Sequence, residues 1–218
     1  MEKMPYQSQL EDIRFRSAVD DAVISSEWKS GLPALCGQRV VLREMRLSDA
    51  PALCALLTSE EVARFISPPP STVEGFERFI GWTLQQRRAG AHACFAVTLK
   101  DSDIAIGLFQ VRGLDSGLDN GEWGFAIGSE YWGTGVFEES AKLVVNFAFD
   151  TIGIHRLEAR SAIRNGRGNG ALRKLGAVRE GTLRQSFLKN GEYLDQALWA
   201  ILAEDWRGTT TVWEGRIH

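Results

Sequence analysis

The sequence predicts an α+β fold, a mixed α/β domain built on one central sheet. Stretches with apolar residues at helical spacing alternate with strand-like stretches rich in β-branched and aromatic residues. Their order is one strand, two or three helices, three antiparallel strands, then helix, strand, helix and two strands, which is typical of a single mixed sheet. We therefore expect about seven strands, mostly antiparallel and twisted, with helices on both faces.

The length of the chain limits how many domains it can hold. With 218 residues, 44% of them hydrophobic, it can bury one sizeable core, and a second domain of ordinary size would leave little for the first. We divide the chain into an N-terminal arm (1–35), one domain (36–206) and a C-terminal tail (207–218).

The arm is too apolar for an ordinary disordered tail, and a short helix is predicted around Ala18 to Trp28. It could cover a sheet edge, pack on a second subunit of a homodimer, or be disordered. The first two roles gain weight from its large apolar residues, which are Phe15, Val19, Val23, Ile24 and Trp28.

Composition excludes several classes of partner. No stretch approaches the roughly 18 apolar residues of a membrane span, and the first residues lack the apolar centre of a secretory signal, so we expect a soluble, cytoplasmic protein without a membrane partner. A net charge of −3 argues against direct nucleic-acid binding. The three cysteines share no ligand spacing, so we expect idle thiols and no metal site.

The N-terminal half of the domain is predicted to be mostly helical. It begins with a strand, Arg39 to Met45, after which Ser48 is the expected N-cap of a helix, with Asp49 in its first turn. The predicted helices run from Ala50 to Leu57, from Glu60 to Ile66 before three prolines, and from Ser71 or Thr72 to a stop at Gly90.

The C-terminal half is predicted to consist mostly of strands. HACFAVTL (92–99) and IAIGLFQVRGL (104–114) form a hairpin, and GEWGFAIG follows as a third strand. Residues 155–163 form a strand and 165–175 a helix. The last two strands, 177–188 and 193–202, are joined at Asn190-Gly191, a dipeptide preferred at tight hairpin turns.

The stretch from Glu122 to Asp150 is a candidate site for a phosphorylated ligand. It reads as a strand, a glycine-bearing turn and a long helix. Gly133 and Gly135 flank Thr134 where the strand pattern stops, so the backbone can turn tightly and bring its N–H groups close to an anion. The helix that follows points its positive N-terminal end at the same place.

Positive charge is concentrated after this stretch. Between His155 and Asn190 there are nine Lys or Arg residues and two acidic ones, a balance of +7, which leaves −10 for the rest of the chain. A basic segment suits a phosphate ligand, and a solvated charged face is the alternative.

Four stretches carry a family resemblance. In chain order they are RVVLREMRLSDAPAL, EWGFAIGSEYWGTGVFEES, HRLEARSAIRNGRGNGALRKLGA and NGEYLDQALWAILAEDW. They resemble motifs of the GNAT superfamily of acyl-CoA-dependent N-acetyltransferases, and within it of the RimJ/RimL-like branch, from about Gly37 to Trp206. The glycine turn alone is a weak signal, but four motifs in the same order are specific.

The resemblance implies a single GNAT-like domain that uses acetyl-CoA, or another short acyl-CoA, as co-substrate. The pyrophosphate would lie on backbone N–H groups of the glycine turn, and the pantetheine arm would run along the strand before it. The implied cofactor-binding residues are Phe125, Ala126, Ile127, Trp132, Gly133, Thr134, Gly135, Val136, Phe137, Asn165, Arg167 and Lys174.

The resemblance also places one candidate catalytic residue. Glu122 matches the acid position of the branch, where a carboxylate could take a proton from the amine; an exposed ion-pair partner is the alternative. Two hydroxyls that family members often carry are missing, because Gly168 stands three residues after the Asn and Trp199 four residues after the fixed Asp. Tyr131 and Tyr193 are the candidates considered for a general acid. A bulky Phe137 could narrow the phosphate site.

The implied activity is transfer of an acyl group, most simply acetyl, to a primary amine by direct attack. The acceptor could be a protein N-terminus, an amino acid, a polyamine or an antibiotic amine, and the acid excess outside the basic segment favours a cationic one. A catalytically weak acyl-CoA-binding module remains the alternative. A dinucleotide oxidoreductase is disfavoured, because the turn lacks the third glycine of that fingerprint.

Overall fold

The computed structural model describes residues 26–115 and 117–214, with side chains through residue 208. The predicted α+β architecture is confirmed, with an open eight-stranded sheet in the order β1-β2-β3-β4-β5-β6-β8-β7. Every described pair is antiparallel except β5 with β6. The strands are β1 (Leu35–Cys36), β2 (Val40–Glu44), β3 (His92–Leu99), β4 (Gly107–Gly113), β5 (Asn120–Ile127), β6 (Arg156–Ala162), β7 (Val178–Lys189) and β8 (Glu192–Leu202).

Six α-helices are described around the sheet. They are α1 (Ala50–Leu57), α2 (Glu60–Ala63), α3 (Val73–Arg88), α4 (Val136–Asn146), α5 (Gly166–Lys174) and α6 (Ala203–Glu214). Within the described ranges, none of the helices is both long and apolar enough to cross a membrane.

Helices cover both faces of the sheet because side chains alternate between the faces along each strand. Cys94, Leu108 and Ala126 face one side and pack with the apolar residues of α1 and α3. On the other face, Phe95 and Phe109 share a core with the buried side of α4 and with Leu172 of α5. The glycine turn therefore joins β5 of the sheet to α4, a helix whose apolar side is buried in this core.

The sheet opens between its two parallel strands. Pairing of β5 with β6 covers Asn120–Glu122 and Arg156–Glu158. Beyond this point β5 continues to Ile127 and β6 to Ala162, with no further pairing described between them. The sheet therefore contains a cleft whose walls are two internal strand edges.

Several local features differ from the sequence expectations. The sheet has one more strand than expected, the two-residue β1, which is too short to give a periodic signal. The predicted cap at Ser48 is wrong by one residue, because Leu47–Asp49 forms a 3₁₀ turn and Asp49 takes the cap position of α1. After α4 the chain makes a π-helical turn, Phe147–Ile152.

The structure describes the arm from Ser26 onwards and the C-terminal tail as far as Glu214. Residues before Ser26 lie outside the described part, so most of the predicted arm helix is not covered. Trp28, in a short 3₁₀ turn, is only 3% exposed and packs in the main core. At the other end, the expected polar tail begins inside α6.

Candidate functional site

The glycine turn has the backbone geometry that its sequence predicts. Gly133 and Gly135 have φ of 77° and 90°, which side chains disfavour. Thr134 lies between them; its hydroxyl donates to the carbonyl of Tyr131 at 2.7 Å, and its own carbonyl accepts from Arg39 at 2.9 Å. The turn is thus fixed by its carbonyls and hydroxyl, and the N–H groups that open α4 remain directed at its N-terminal end.

A cavity of about 740 Å³ lies between this turn, the end of β5 and the start of α5. Of the residues predicted to bind the cofactor, it is lined by Phe125, Ala126, Ile127, Trp132, Gly133, Gly135, Phe137, Asn165, Arg167 and Lys174. Thr134 is not among its lining residues, and Val136 is 3% exposed in the core. The structure therefore brings most of the predicted set together around one space.

The backbone of β5 presents unpaired polar groups to this cleft. Gly128 donates its N–H to Ile106 at 2.9 Å, on the β4 side. Since successive residues of a strand face opposite directions, Phe125 and Ile127 turn their backbone groups towards β6, where pairing has ended. The Ile127 carbonyl accepts from the Trp132 indole at 2.9 Å. This leaves the N–H groups of Phe125 and Ile127 and the carbonyl of Phe125 facing the cleft.

An aromatic cluster forms one wall of the cavity. The Phe137 ring lies 4.6 Å from Phe125 and 5.9 Å from Phe109, measured between centroids. Beside Gly133 the space is open, because nothing lies within 4 Å of an ideal Cβ there. Phe137 thus packs towards the sheet, and room for an anion remains beside the turn.

Charged groups of both signs border the cavity. The Arg167 guanidinium lies over the Trp132 ring at 4.1 Å. Glu138 is hydrogen-bonded by Lys142 at 2.7 Å, which lowers its pKa, and Lys174 acts in the same direction. Several bases of the basic segment are ion-paired elsewhere, such as Arg156 with Glu180. The local positive charge is therefore smaller than the sequence count suggested.

One wall of the cavity has no signal in the sequence. This wall comes from α2 and the residues after it, a short segment without a sustained period. Its lining residues are Glu61, Val62, Arg64, Phe65 and Ile66. Nothing in their local pattern indicates that they fold back over a strand more than fifty residues later.

A second cavity of about 760 Å³ spans the gap between β5 and β6 and meets the first. Its lining draws on both cores, with Leu57 and Phe76 from one and Trp123 and Leu172 from the other. The two cavities share six lining residues, which are Phe65, Ile66, Phe125, Ala126, Asn165 and Gly168. The lining of the second cavity is mixed, with aromatic rings and three prolines beside polar groups such as Gln110, Ser186 and Gln196. Its rings and prolines are Phe65, Pro68, Pro69, Pro70, Phe76, Phe79, Trp123 and Phe187.

Glu122 borders the second cavity and not the first. Its Oε2 atom contacts Arg112 at 2.6 Å and Arg160 at 4.0 Å. Both contacts use the same oxygen, and among the described residues no hydrogen bond from either guanidinium to Oε1 is found. This geometry is compatible with Glu122 as an ion-pair partner and with Glu122 as a proton acceptor. A role of Glu122 in catalysis stays a prediction.

A buried histidine orients one polar side chain in the second cavity. His92 Nε2 lies 3.2 Å from Gln110 Oε1, while its Nδ1 is buried without a partner among the described residues. Since an unpaired acceptor costs less than an orphaned N–H, the proton belongs on Nε2, which donates to Gln110. The Gln110 amide nitrogen then faces Gly124, whose ideal Cβ would lie 3.3 Å from it.

The two positions that lack the family hydroxyls have different surroundings. Trp199 is 3% exposed, and its indole donates to Asn169 at 2.9 Å, which ties β8 to α5. At Gly168, the backbone N–H donates to Asn165 Oδ1 at 2.9 Å, so Asn165 caps α5. Tyr131 and Tyr193 line neither cavity.

Comparison with known proteins adds to this geometry. A family model described as an acetyltransferase (GNAT) domain matches residues 39–178. The uncharacterized N-acetyltransferase p20 of Bacillus licheniformis is 25% identical over 178 residues, 81% of this chain and 100% of that protein. The ribosomal protein uS5-alanine N-acetyltransferase of Escherichia coli (strain K12) is 30% identical over 83 residues, 38% of this chain and 43% of that protein. The structure of Mycobacterium smegmatis RimJ in complex with CoA-disulfide has a TM-score of 0.70 at 21% identity, covering 76% of this chain and 83% of that one.

Proposed function

Because this chain belongs to the GNAT acetyltransferase family, we propose that it transfers an acetyl group from acetyl-CoA to a primary amine. The observation that carries the proposal is the pair of adjoining cavities. One lies beside a glycine turn, and the other is reached across the gap between β5 and β6. A donor in the first cavity and an acceptor in the second would meet at Phe125 and Asn165, which line both.

The residues of the first cavity fit a CoA molecule. Backbone N–H groups from Gly133 to Phe137, together with the positive end of α4, would bind the pyrophosphate. The exposed backbone groups of Phe125 and Ile127 would pair with the pantetheine amides as an added strand does. The open space beside Gly133 supports this assignment, since a side chain there would fill it.

The chemistry requires a neutral amine. A lysine-type amine has a pKa near 10.4 and an α-amine about 7.7 to 8.0, so either must lose a proton before it can attack the thioester. We assign this role to Glu122 Oε1, acting directly or through water. Attack forms the C–N bond, and the electron pair of the C–S bond leaves with sulfur. The charged amine thus loses one proton to Glu122 before attack and a second to solvent as the amide forms, and the thiolate gains one proton from solvent.

The lining of the second cavity supports an acceptor whose amine is attached to apolar groups. Its charged members are Glu122 and Arg160, which have opposite signs. Aromatic rings and prolines make up much of the rest. An alkyl or aromatic amine, or a protein N-terminus with an apolar side chain, therefore suits this site better than a polycation.

The activity can be tested by screening amines with acetyl-CoA and succinyl-CoA while free thiol release is monitored. The panel includes aromatic amines, polyamines and peptides with different N-terminal residues. We expect acetyl transfer to amines with apolar neighbours. Tight CoA binding without turnover on any amine would instead favour a binding module.

The role of Glu122 is tested by replacing it with glutamine. E122Q should reduce turnover at neutral pH at least about tenfold while CoA affinity changes little, and the loss should shrink at high pH, where amines are neutral without help. Glu158→Gln is the matched control. Glu158 on β6 lies opposite Glu122 on β5 in the strand register. It contacts Arg156 at 3.0 Å and lines neither cavity. Unchanged turnover in E122Q would exclude Glu122 as the proton acceptor and leave it only the ion pair with Arg112.

A further inference from the structure

Ser161 carries a buried hydroxyl without a described partner. The residue lies near the end of β6, is 7% exposed and lines the second cavity. Its Oγ atom has no hydrogen-bond partner among the described residues. A buried hydroxyl left unpaired carries a desolvation cost, so such a group in a cavity wall is a candidate for binding a ligand atom.

This hydroxyl lies beside Gly168 of α5, a position without a side chain. An ideal Cβ at Gly168 would lie 3.1 Å from Ser161 Oγ and 2.6 Å from Asn165 Nδ2. A serine side chain at 168 would therefore enter the space that Ser161 Oγ already borders. Gly168 and Asn165 line both cavities, so Ser161 reaches the region where donor and acceptor would meet.

The other serines of the two cavities are less suited to this place. Ser67 is exposed. Ser186 is also exposed, and its hydroxyl donates to the Leu183 carbonyl at 3.1 Å and lies 3.0 Å from Gln196. Ser161 thus combines burial, an unengaged hydroxyl and a position at the junction.

We propose that Ser161 donates a hydrogen bond to the sulfur of the acyl donor, replacing from β6 the hydroxyl that α5 lacks at Gly168. The inference rests on the proposed function. As the C–S bond breaks, its electron pair moves to sulfur, and the Ser161 hydroxyl stabilises the resulting thiolate without giving up its proton. The amine proton leaves through Glu122 or water, and the thiolate is protonated from solvent after release.

The first test measures bound CoA without any acceptor. Thiolate absorbance of the protein–CoA complex is followed against pH for the wild type, Ser161→Ala and Ser186→Ala. A hydrogen bond to a charged sulfur should hold the thiol pKa of bound CoA below its free value, and Ser161→Ala should raise it by about 1 to 2. Ser186→Ala should leave it at the wild-type value.

The second test uses a rescue variant. Ser161→Ala should lower kcat about ten- to a hundredfold with little change in CoA affinity. Adding Gly168→Ser in the same chain should recover part of kcat, because a hydroxyl returns to the same space from α5. In the wild-type background, Gly168→Ser should lower activity, because its Cβ crowds Ser161 and Asn165.

The outcomes separate the two proposals. If CoA does not bind, the proposed function and this inference both fail. If CoA binds and its thiol pKa is the same in the wild type and Ser161→Ala, the assignment of Ser161 is wrong while the acetyltransferase proposal stands. A shifted pKa with a partial rescue by Gly168→Ser supports the assignment.

Discussion

At the scale of single residues, His92 is a group whose charge the fold suppresses. Burial lowers its pKa to about 4, and the positive charge of Arg112 acts in the same direction, while the hydrogen bond with Gln110 opposes both. Its ring packs 5.2 Å from that of Trp82. Over the ordinary pH range His92 is therefore neutral. Its Nε2–H donates to Gln110 Oε1, which leaves the Gln110 amide nitrogen facing Gly124 in the second cavity.

This lowered pKa predicts a loss of stability in mild acid. Between pH about 6.5, where an unfolded histidine titrates, and pH about 4, the unfolded chain binds a proton that the folded chain does not. The free energy of unfolding should fall as pH decreases through this window, by on the order of 3 kcal/mol in full. Urea unfolding at several pH values measures it. His92→Asn should remove this component, and His155→Asn, which removes an exposed imidazole, should keep it.

A second residue-scale prediction compares two carboxylates on one arginine. Arg43 pairs with Asp49 at 2.8 Å and with Asp103 at 2.5 Å; the Asp49 side chain is 4% exposed and that of Asp103 is 66% exposed. Asp49→Ala leaves a buried guanidinium without its main partner and should cost about 3 to 5 kcal/mol. Asp103→Ala should cost less than about 1 kcal/mol. Equal losses in denaturant titrations would contradict this assignment of burial.

At the scale of elements, α6 is fixed to the helix that carries the glycine turn. The Trp206 indole donates to Asn146 of α4 at 2.6 Å, and Arg207 contacts Asp150 at 3.2 Å. Trp206 also packs against the main core. The helix thus fastens the C-terminal end of α4 while its N-terminal end faces the cavity.

This contact predicts different effects for two neighbouring substitutions in α6. Trp206→Ala should lower the free energy of unfolding by about 2 kcal/mol through lost apolar burial and the lost hydrogen bond. Arg207→Ala removes an exposed ion pair and should change it by less than about 1 kcal/mol. Thermal and urea unfolding compare the two. A larger effect of Arg207→Ala would mean that charge, and not packing, holds α6.

Most elements were predictable because their signals are local. The apolar stripe of α3, the glycine turn before α4 and the hairpin at Asn190-Gly191 depend on neighbours within a few residues. At that hairpin the structure confirms the predicted turn, with φ of 50° and 81°. The two-residue β1 and the π-helical turn have no comparable local pattern, so pairing and packing decide them.

The site was predictable only in part because its pairings are long-range. The glycine turn and the strand before it can be recognised in one stretch of sequence. The contact of Glu122 with Arg112, the approach of Ser161 to Gly168 and the wall made by α2 each require knowledge of which strands and helices become neighbours. Their positions follow from the strand order of the sheet, which no single stretch encodes.

At the scale of the whole molecule, the gap between β5 and β6 places an unpaired strand edge in the middle of the sheet. An edge of this kind usually invites pairing with other chains. Here residues of α4, α5 and the segment around α2 line the cavity beside this edge. A ligand that pairs with the edge therefore also contacts these elements.

Hydrogen exchange along β5 can also show whether a ligand occupies this gap. The amide hydrogens of Phe125 and Ile127 should exchange with solvent deuterium far faster than those of Gly124 and Ala126, which face β4. A ligand that pairs with this edge would slow the exchange of only the first two. Alternate amides along one strand would thus record whether the cleft is filled.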